Sequence, residues 1–150
     1  MTNREKSKWL EQYRQEQSRL RLLCTELEAL RAQGREFCRI RDGAEDGEPP
    51  EWLCRDLAQA RQEMEAQAAR CVLLRRRMVK AISRLEDERQ REVLCRRFLQ
   101  GQTTAEAADE MGVVPRRVEQ LQSEGLRRLT VELQETGTEN AKKSRVKGLR

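Results

Sequence analysis

Between positions 116 and 129 the chain carries Arg116, Arg117, Glu119, Gln120, Ser123, Arg127 and Arg128, interleaved with Val118, Leu121 and Leu129. At helical spacing the apolar residues share one face and the polar ones another. The polar set has the chemistry of base recognition. An arginine offers paired donors to the O6 and N7 of guanine, a glutamine matches adenine, and a glutamate accepts from cytosine. Arg127, Arg128 and Arg97 suit phosphate, which fixes a protein on a duplex without reading it. A helix with this outer face is one that enters a major groove.

Bond-making chemistry has little to work with. The chain contains no histidine and five cysteines, Cys24, Cys38, Cys54, Cys71 and Cys95, none in a C-x-x-C pair. Zinc needs four ligands, and scattered thiols do not supply them at ligand spacing. A glycine-rich phosphate loop, H-E-x-x-H and G-x-S-x-G are missing from the sequence. Its carboxylates stand at helix-surface spacing beside arginines, the pattern of solvated ion pairs. The expectation is a protein that is not an enzyme and uses neither metal nor cofactor. Odd, dispersed thiols without a signal peptide indicate a reduced, cytoplasmic setting. The longest apolar run falls far short of the ~20 residues that span a bilayer, so no membrane role is expected.

The elements that must position the polar face lie just upstream. Asp87 can cap a helix whose apolar residues are Val93, Leu94, Phe98 and Leu99, and Gly101 can end it. Thr103 to Glu106 reads T-x-x-E, a capping box that opens a second helix at Thr103 and Thr104, both counted with the DNA-contacting set. Ala107, Ala108 and Met111 form its inner side, and Gly112 stops it after two turns. Pro115 fits the first position of a third helix. A short helix, a glycine and a second helix make the helix-turn-helix pattern. Val114 stands where a capping serine or threonine would be expected, and Gly125 lies inside a helix; each costs about 1 kcal/mol.

The string from Leu85 to Leu129 resembles region four of bacterial sigma factors. The resemblance rests on Arg91-Glu92-Val93-Leu94, Arg97-Phe98, Gly101, Glu106, Ala108, Met111, Gly112, Val113, Val118, Leu121, Ser123 and Leu126-Arg127-Arg128-Leu129, in order and without a gap. It implies a trihelical fold, double-stranded DNA as partner, and RNA polymerase as a second partner. Val114, Gly125 and the small residues Ala105 and Ala107 depart from the family pattern.

The rest of the chain reads as two long helices. Aromatics are 3% and charged residues 38% of the sequence, a balance that favours solvent-washed helices over a thick core. Trp9, Tyr13, Leu20, Leu23, Leu27, Leu30 and Phe37 step at threes and fours, with Glu16 filling one slot badly. The 42–50 stretch, with two glycines, two prolines and four acids, is a loop. From Glu51 the pattern resumes through Leu53, Leu57, Ala60, Met64, Cys71, Leu74, Met78, Ala81 and Leu85, with Gln67 interrupting it. Two helices of roughly 50 Å joined by a short loop pair antiparallel, here along coiled-coil seams. Leu10, Leu22, Val72, Leu73 and Val79 fall off the seam and predict a second contact surface, for the C-terminal unit or for another copy of the chain.

The expected architecture is all-α: an antiparallel helical hairpin over 1–84, a helix-turn-helix domain over 85–133 and a basic, disordered tail over 134–150. In outline it is similar to small phage and prophage regulators of late genes, the ArpU and RinA types. The leading expectation is a sequence-specific transcription regulator. The alternatives are a partial sigma-like factor held on RNA polymerase, a phage packaging or structural protein, and a trihelical unit serving protein contacts alone. Five dispersed aromatics do not make the strand-melting region that a full sigma factor needs.

Overall fold

The computed structural model describes residues 1–132. The expected basic tail over 134–150 lies outside the described residues. Five helices follow in order, and the described residues contain no strand. They are α1 (Asn3–Asp42), α2 (Glu51–Ser83), α3 (Glu88–Leu94, continued by a π-helical turn over Cys95–Leu99), α4 (Thr104–Met111) and α5 (Pro115–Arg128).

Helix α1 begins with a complete capping box. The Glu5 amide donates to Thr2 Oγ1 at 3.2 Å, and the Thr2 amide donates to Glu5 Oε2 at 2.7 Å. Gly43 ends the helix in the left-handed conformation at φ 77°. The chain turns back, and α2 runs antiparallel to α1, so Gly34 meets Leu53 near the loop and Glu16 meets Gln67 farther down. Gly34 makes room for the Leu53 side chain, since a β-carbon there would lie 2.9 Å from Leu53 Cδ2.

The seam departs from the expected one at both ends. Phe37 is 40% exposed, and Cys38 takes its place inside with Gly34. An apolar repeat near 3.5 drifts against the 3.6 period of a straight helix, and by the end of a 40-residue helix the inward position has moved by one. At the other end Leu10, expected off the seam, is fully buried. What covers it is the C-terminal unit, one of the two occupants expected for that surface.

The main core lies at the base of the hairpin. Leu10 and Tyr13 of α1 and Met78, Ala81 and Ile82 of α2 pack with Leu94, Phe98, Leu126 and Leu129. Hairpin and C-terminal helices thus share one core across the boundary drawn at 84/85. A second, smaller core joins Val93, Ala107, Ala108, Val118 and Leu121, and it holds α3, α4 and α5 together. Gly125 has a packing role that its helix propensity conceals: a β-carbon there would meet Leu94 Cδ1 at 3.3 Å and Gln90 Cβ at 3.4 Å, so α3 and α5 cross closely at that point.

Candidate nucleic-acid interface

The site is built on α5, and α4 and the turn before it set its direction. Thr103 caps α4 by accepting from the Glu106 amide at 3.1 Å. The expected capping box is half formed, because the Glu106 carboxylate accepts from the Thr103 hydroxyl at 3.2 Å rather than from the Thr103 amide. Gly112, at φ 68°, closes α4, and the Val113 amide donates back to the Ala108 carbonyl at 3.0 Å. Pro115 opens α5 after Val114, which makes no side-chain cap and is 64% exposed. The amides at the start of α5 therefore face outward without a side-chain acceptor.

Val118, Leu121, Gly125 and Leu126 form the buried face of α5. Arg116, Glu119, Gln120 and Ser123 are exposed and line one shallow, open depression together with Glu124. Arg116, Gln120, Ser123 and Arg127 stand at steps of four, three and four, so they form one continuous stripe on the helix. Arg127, the last member of that stripe, and its neighbour Arg128 are both exposed in the final turn of α5. Of the expected base-reading set, Arg116, Glu119, Gln120 and Ser123 thus share one open face, and Arg117 does not.

Four expected contact residues sit differently. Arg117 is half-buried, because each residue turns the helix by ~100° and its place is beside the buried Val118 rather than beside Arg116. Thr104 is half-buried within the first turn of α4, and the Thr103 hydroxyl is occupied by the cap. Arg97, whose chemistry suggested phosphate, turns inward. Its Nε donates to Gln122 Oε1 at 3.0 Å and its Nη1 to the Gln102 carbonyl, so it straps α5 to the loop before α4.

The neighbouring Arg96 does similar work on the other side. It donates to Glu92 Oε1 at 3.0 Å and pairs with Glu110, which also accepts from the Gln102 amide at 2.8 Å. The bond from Gln102 first, and then the Arg96 charge, hold the Glu110 carboxyl below its ordinary range. Both arginines belong to the π-helical turn that follows α3, which brings consecutive side chains to α4 and to α5.

Sequence reasoning missed the far end of α5. Lys6 of α1 donates from Nζ to the Leu126 carbonyl at 2.8 Å and to the Arg127 carbonyl at 3.0 Å. The Asn3 amide donates to the Ser123 carbonyl at 3.1 Å. An ammonium at a helix C-terminus satisfies its orphan carbonyls and opposes its negative dipole end. Arg14 lies over Gly101, so closely that a β-carbon there would collide with its guanidinium. The signal for these contacts was faint: T-x-x-E at Thr2–Glu5 marks the helix start, but nothing local says what that start touches.

Two other absences are structural. No three histidine, cysteine or acidic groups among the described residues are placed to hold a metal ion, and no described helix is long and apolar enough to cross a membrane. All five cysteines are free; burial pushes the Cys71 and Cys95 thiols up.

No curated protein and no solved structure matches the chain. A protein-family model does: residues 81–130, from the end of α2 through α5, match Sigma-70, region 4, so the C-terminal third of the molecule is similar to that helix-turn-helix region.

Proposed function

We propose that this protein is a sequence-specific transcription regulator that lays α5, from Pro115 onward, in the major groove of double-stranded DNA. The observation that carries this reading is the single exposed stripe of Arg116, Gln120, Ser123 and Arg127, set on a helix whose opposite face is locked into the core. Arg116 and Gln120 read base edges, Glu119 selects against wrong bases, and Arg127 and Arg128 hold phosphates. The likeness of residues 81–130 to sigma region 4 supports the reading and adds a second: the same unit also touches RNA polymerase. The two are compatible in one regulator.

The long hairpin is similar in outline to that of phage and prophage late-gene regulators, and a mobile-element origin and a cytoplasmic, non-enzymatic role fit that likeness. The exposed Leu22, Val72, Leu73 and Val79 leave the hairpin an apolar outer surface for self-association.

Selection of bound duplexes from a random pool tests the proposal, run with the native protein and with Arg116→Ala/Gln120→Ala. A defined motif that vanishes in the double variant is the expected result. Salt-sensitive binding without a motif, the same in both proteins, overturns sequence reading. A pull-down with core RNA polymerase separates the second partner from the first.

A further inference from the structure

On the flank of the shared core, where α5 gives way to the segment that follows it, the surface forms a recess of about 110 Å³. Its walls are Trp9 of α1, Arg77, Lys80 and Arg84 of the last turns of α2, and Thr130 and Glu132 beyond α5. Three cations and one carboxylate meet there. Glu132 pairs with Arg84 at 2.6 Å, although both side chains are more than half exposed. The Arg84 guanidinium, and after it Lys80, hold the Glu132 carboxyl below its ordinary range.

Helix α2 explains why this charge is concentrated. Within α2, residues 70–83 carry five basic groups and no acidic one, whereas 51–69 carry two basic and four acidic. The basic end of α2 is the end that packs beside the DNA-reading unit. A charge gradient along a solvent-washed helix has no use in packing. Next to an anionic polymer it gives attraction at one end and repulsion at the other.

We propose that this recess is a phosphate-binding site, and that Glu132 is its resident stand-in. Arg84 supplies a planar fork that matches two phosphate oxygens, Lys80 supplies a compact charge, and Trp9 forms an apolar wall that limits access of water. The carboxylate of Glu132 occupies part of the place a phosphate would take and leaves when one arrives. Two sources share this chemistry: a backbone phosphate of duplex flanking the groove occupied by α5, and a small phosphorylated molecule. The first source rests on the proposed DNA-binding function; the second does not.

The experiment uses the full chain in a Trp52→Phe background, so that Trp9 is the one fluorescent tryptophan. Inorganic phosphate and pyrophosphate are titrated at constant ionic strength, with sodium sulfate and chloride as controls. The expected result is a saturable change in Trp9 emission. Lys80→Ala/Arg84→Ala weakens it about tenfold or more, as removal of two charge-assisted bonds requires. Glu132→Gln tightens it about threefold, by the fraction of time the carboxylate had occupied the site. In parallel, binding to a 30-base-pair duplex is measured across a salt series. If the flanking backbone is the source, the slope of log K against log salt falls by about 0.9 in Lys80→Ala/Arg84→Ala for each phosphate that is no longer neutralised. An unchanged slope with a phosphate-sensitive Trp9 assigns the site to a small phosphorylated ligand. Absence of any saturable phosphate response together with an unchanged slope overturns the proposal. A wild-type chain that binds no duplex at all removes the DNA-binding reading but leaves the fluorescence arm decisive.

Discussion

Gln67 of α2 reaches across the hairpin and donates from one amide nitrogen to both the main-chain carbonyl of Glu16, at 2.9 Å, and its side-chain carboxylate. Each residue, read alone, is a defect in an apolar seam. Together they are one polar rung, nearly buried on the α2 side, where Gln67 is 6% exposed. Such a rung is satisfied in one alignment of the two helices and unsatisfied in every alignment shifted along the seam. Its role is register, as for polar residues at the inner positions of coiled coils.

Replacing Gln67 with leucine is therefore expected to raise hairpin stability while loosening its alignment. The gain is about 1 kcal/mol, the transfer of one more apolar side chain to the seam less the lost hydrogen bonds. Chemical denaturation reads the gain. Amide exchange along α1 reads the loosening. A lower midpoint would show that the rung contributes net stability, and the register argument would fail.

Lys6 is expected to matter more than its surface position suggests. Lys6→Ala removes two charge-assisted bonds to the final carbonyls of α5 and is expected to destabilise the protein by about 1–2 kcal/mol. On the proposed function, duplex affinity should drop more than the stability loss explains, because the far end of α5 is released. Lys6→Arg, which keeps the charge, should recover most of both. Equal melting temperatures for native protein and Lys6→Ala would contradict the assignment.

Val114 offers the opposite opportunity. It stands at the N-cap of α5 without a cap bond and is largely exposed. Val114→Thr supplies a side-chain acceptor to the first turn, where the Arg117 amide otherwise donates only to the Val114 carbonyl, and should stabilise by about 1 kcal/mol. A thermal melt decides it; no rise in midpoint would mean that the local backbone does not admit the cap geometry.

Acid should weaken the fold through a defined set of carboxyls. The Thr2 amide lowers Glu5, Arg39 lowers Glu36, Arg41 lowers Asp42, Gln102 and then Arg96 lower Glu110, and Arg84 lowers Glu132. A depressed folded-state value means that the unfolded chain binds protons first as pH falls. The contribution is complete above the unfolded values of ~4.3 for glutamate and ~3.9 for aspartate, and it is lost as pH drops through the folded ones. All five groups are exposed at the surface, and salt should shrink the effect. Melting temperatures that stay flat from pH 5 to pH 2 would count against these pairings.

Local pattern made the C-terminal unit legible, because its signals are short in range. Thr103, Gly112 and Pro115 each fix a backbone conformation within a few residues, and Val118, Leu121 and Leu129 mark the buried side through spacing alone. Other features depend on distant partners. Arg97 could not be told from a phosphate ligand until Gln122 and Gln102 were placed beside it. Arg117 looked equivalent to Arg116 because charge type says nothing about ~100° of rotation. Gly125 read as a weak helix residue, and only the approach of Leu94 and Gln90 reveals why a larger side chain would crowd there. Cys38 replaced Phe37 in the seam through slow accumulation of phase, which a strict heptad template does not carry.

The bonds from Asn3 and Lys6 to Ser123, Leu126 and Arg127 join positions about 120 residues apart. A ribosome makes α1 before α5, so the earlier segment must wait for the later one before its own base is covered. The core that Leu10 and Tyr13 share with Met78, Ala81 and Ile82 lacks its C-terminal part in the meantime, and Leu94, Phe98, Leu126 and Leu129 lose theirs whenever α1 is cut away. Closing so wide a loop is slow compared with winding the hairpin or the trihelical unit. The last event in folding is then the docking of the two halves, and the reading helix acquires its final support in that step. A fusion placed before Met1 sits at the point of closure, whereas the loop at 43–50 lies at the opposite end of the hairpin and leaves that closure untouched.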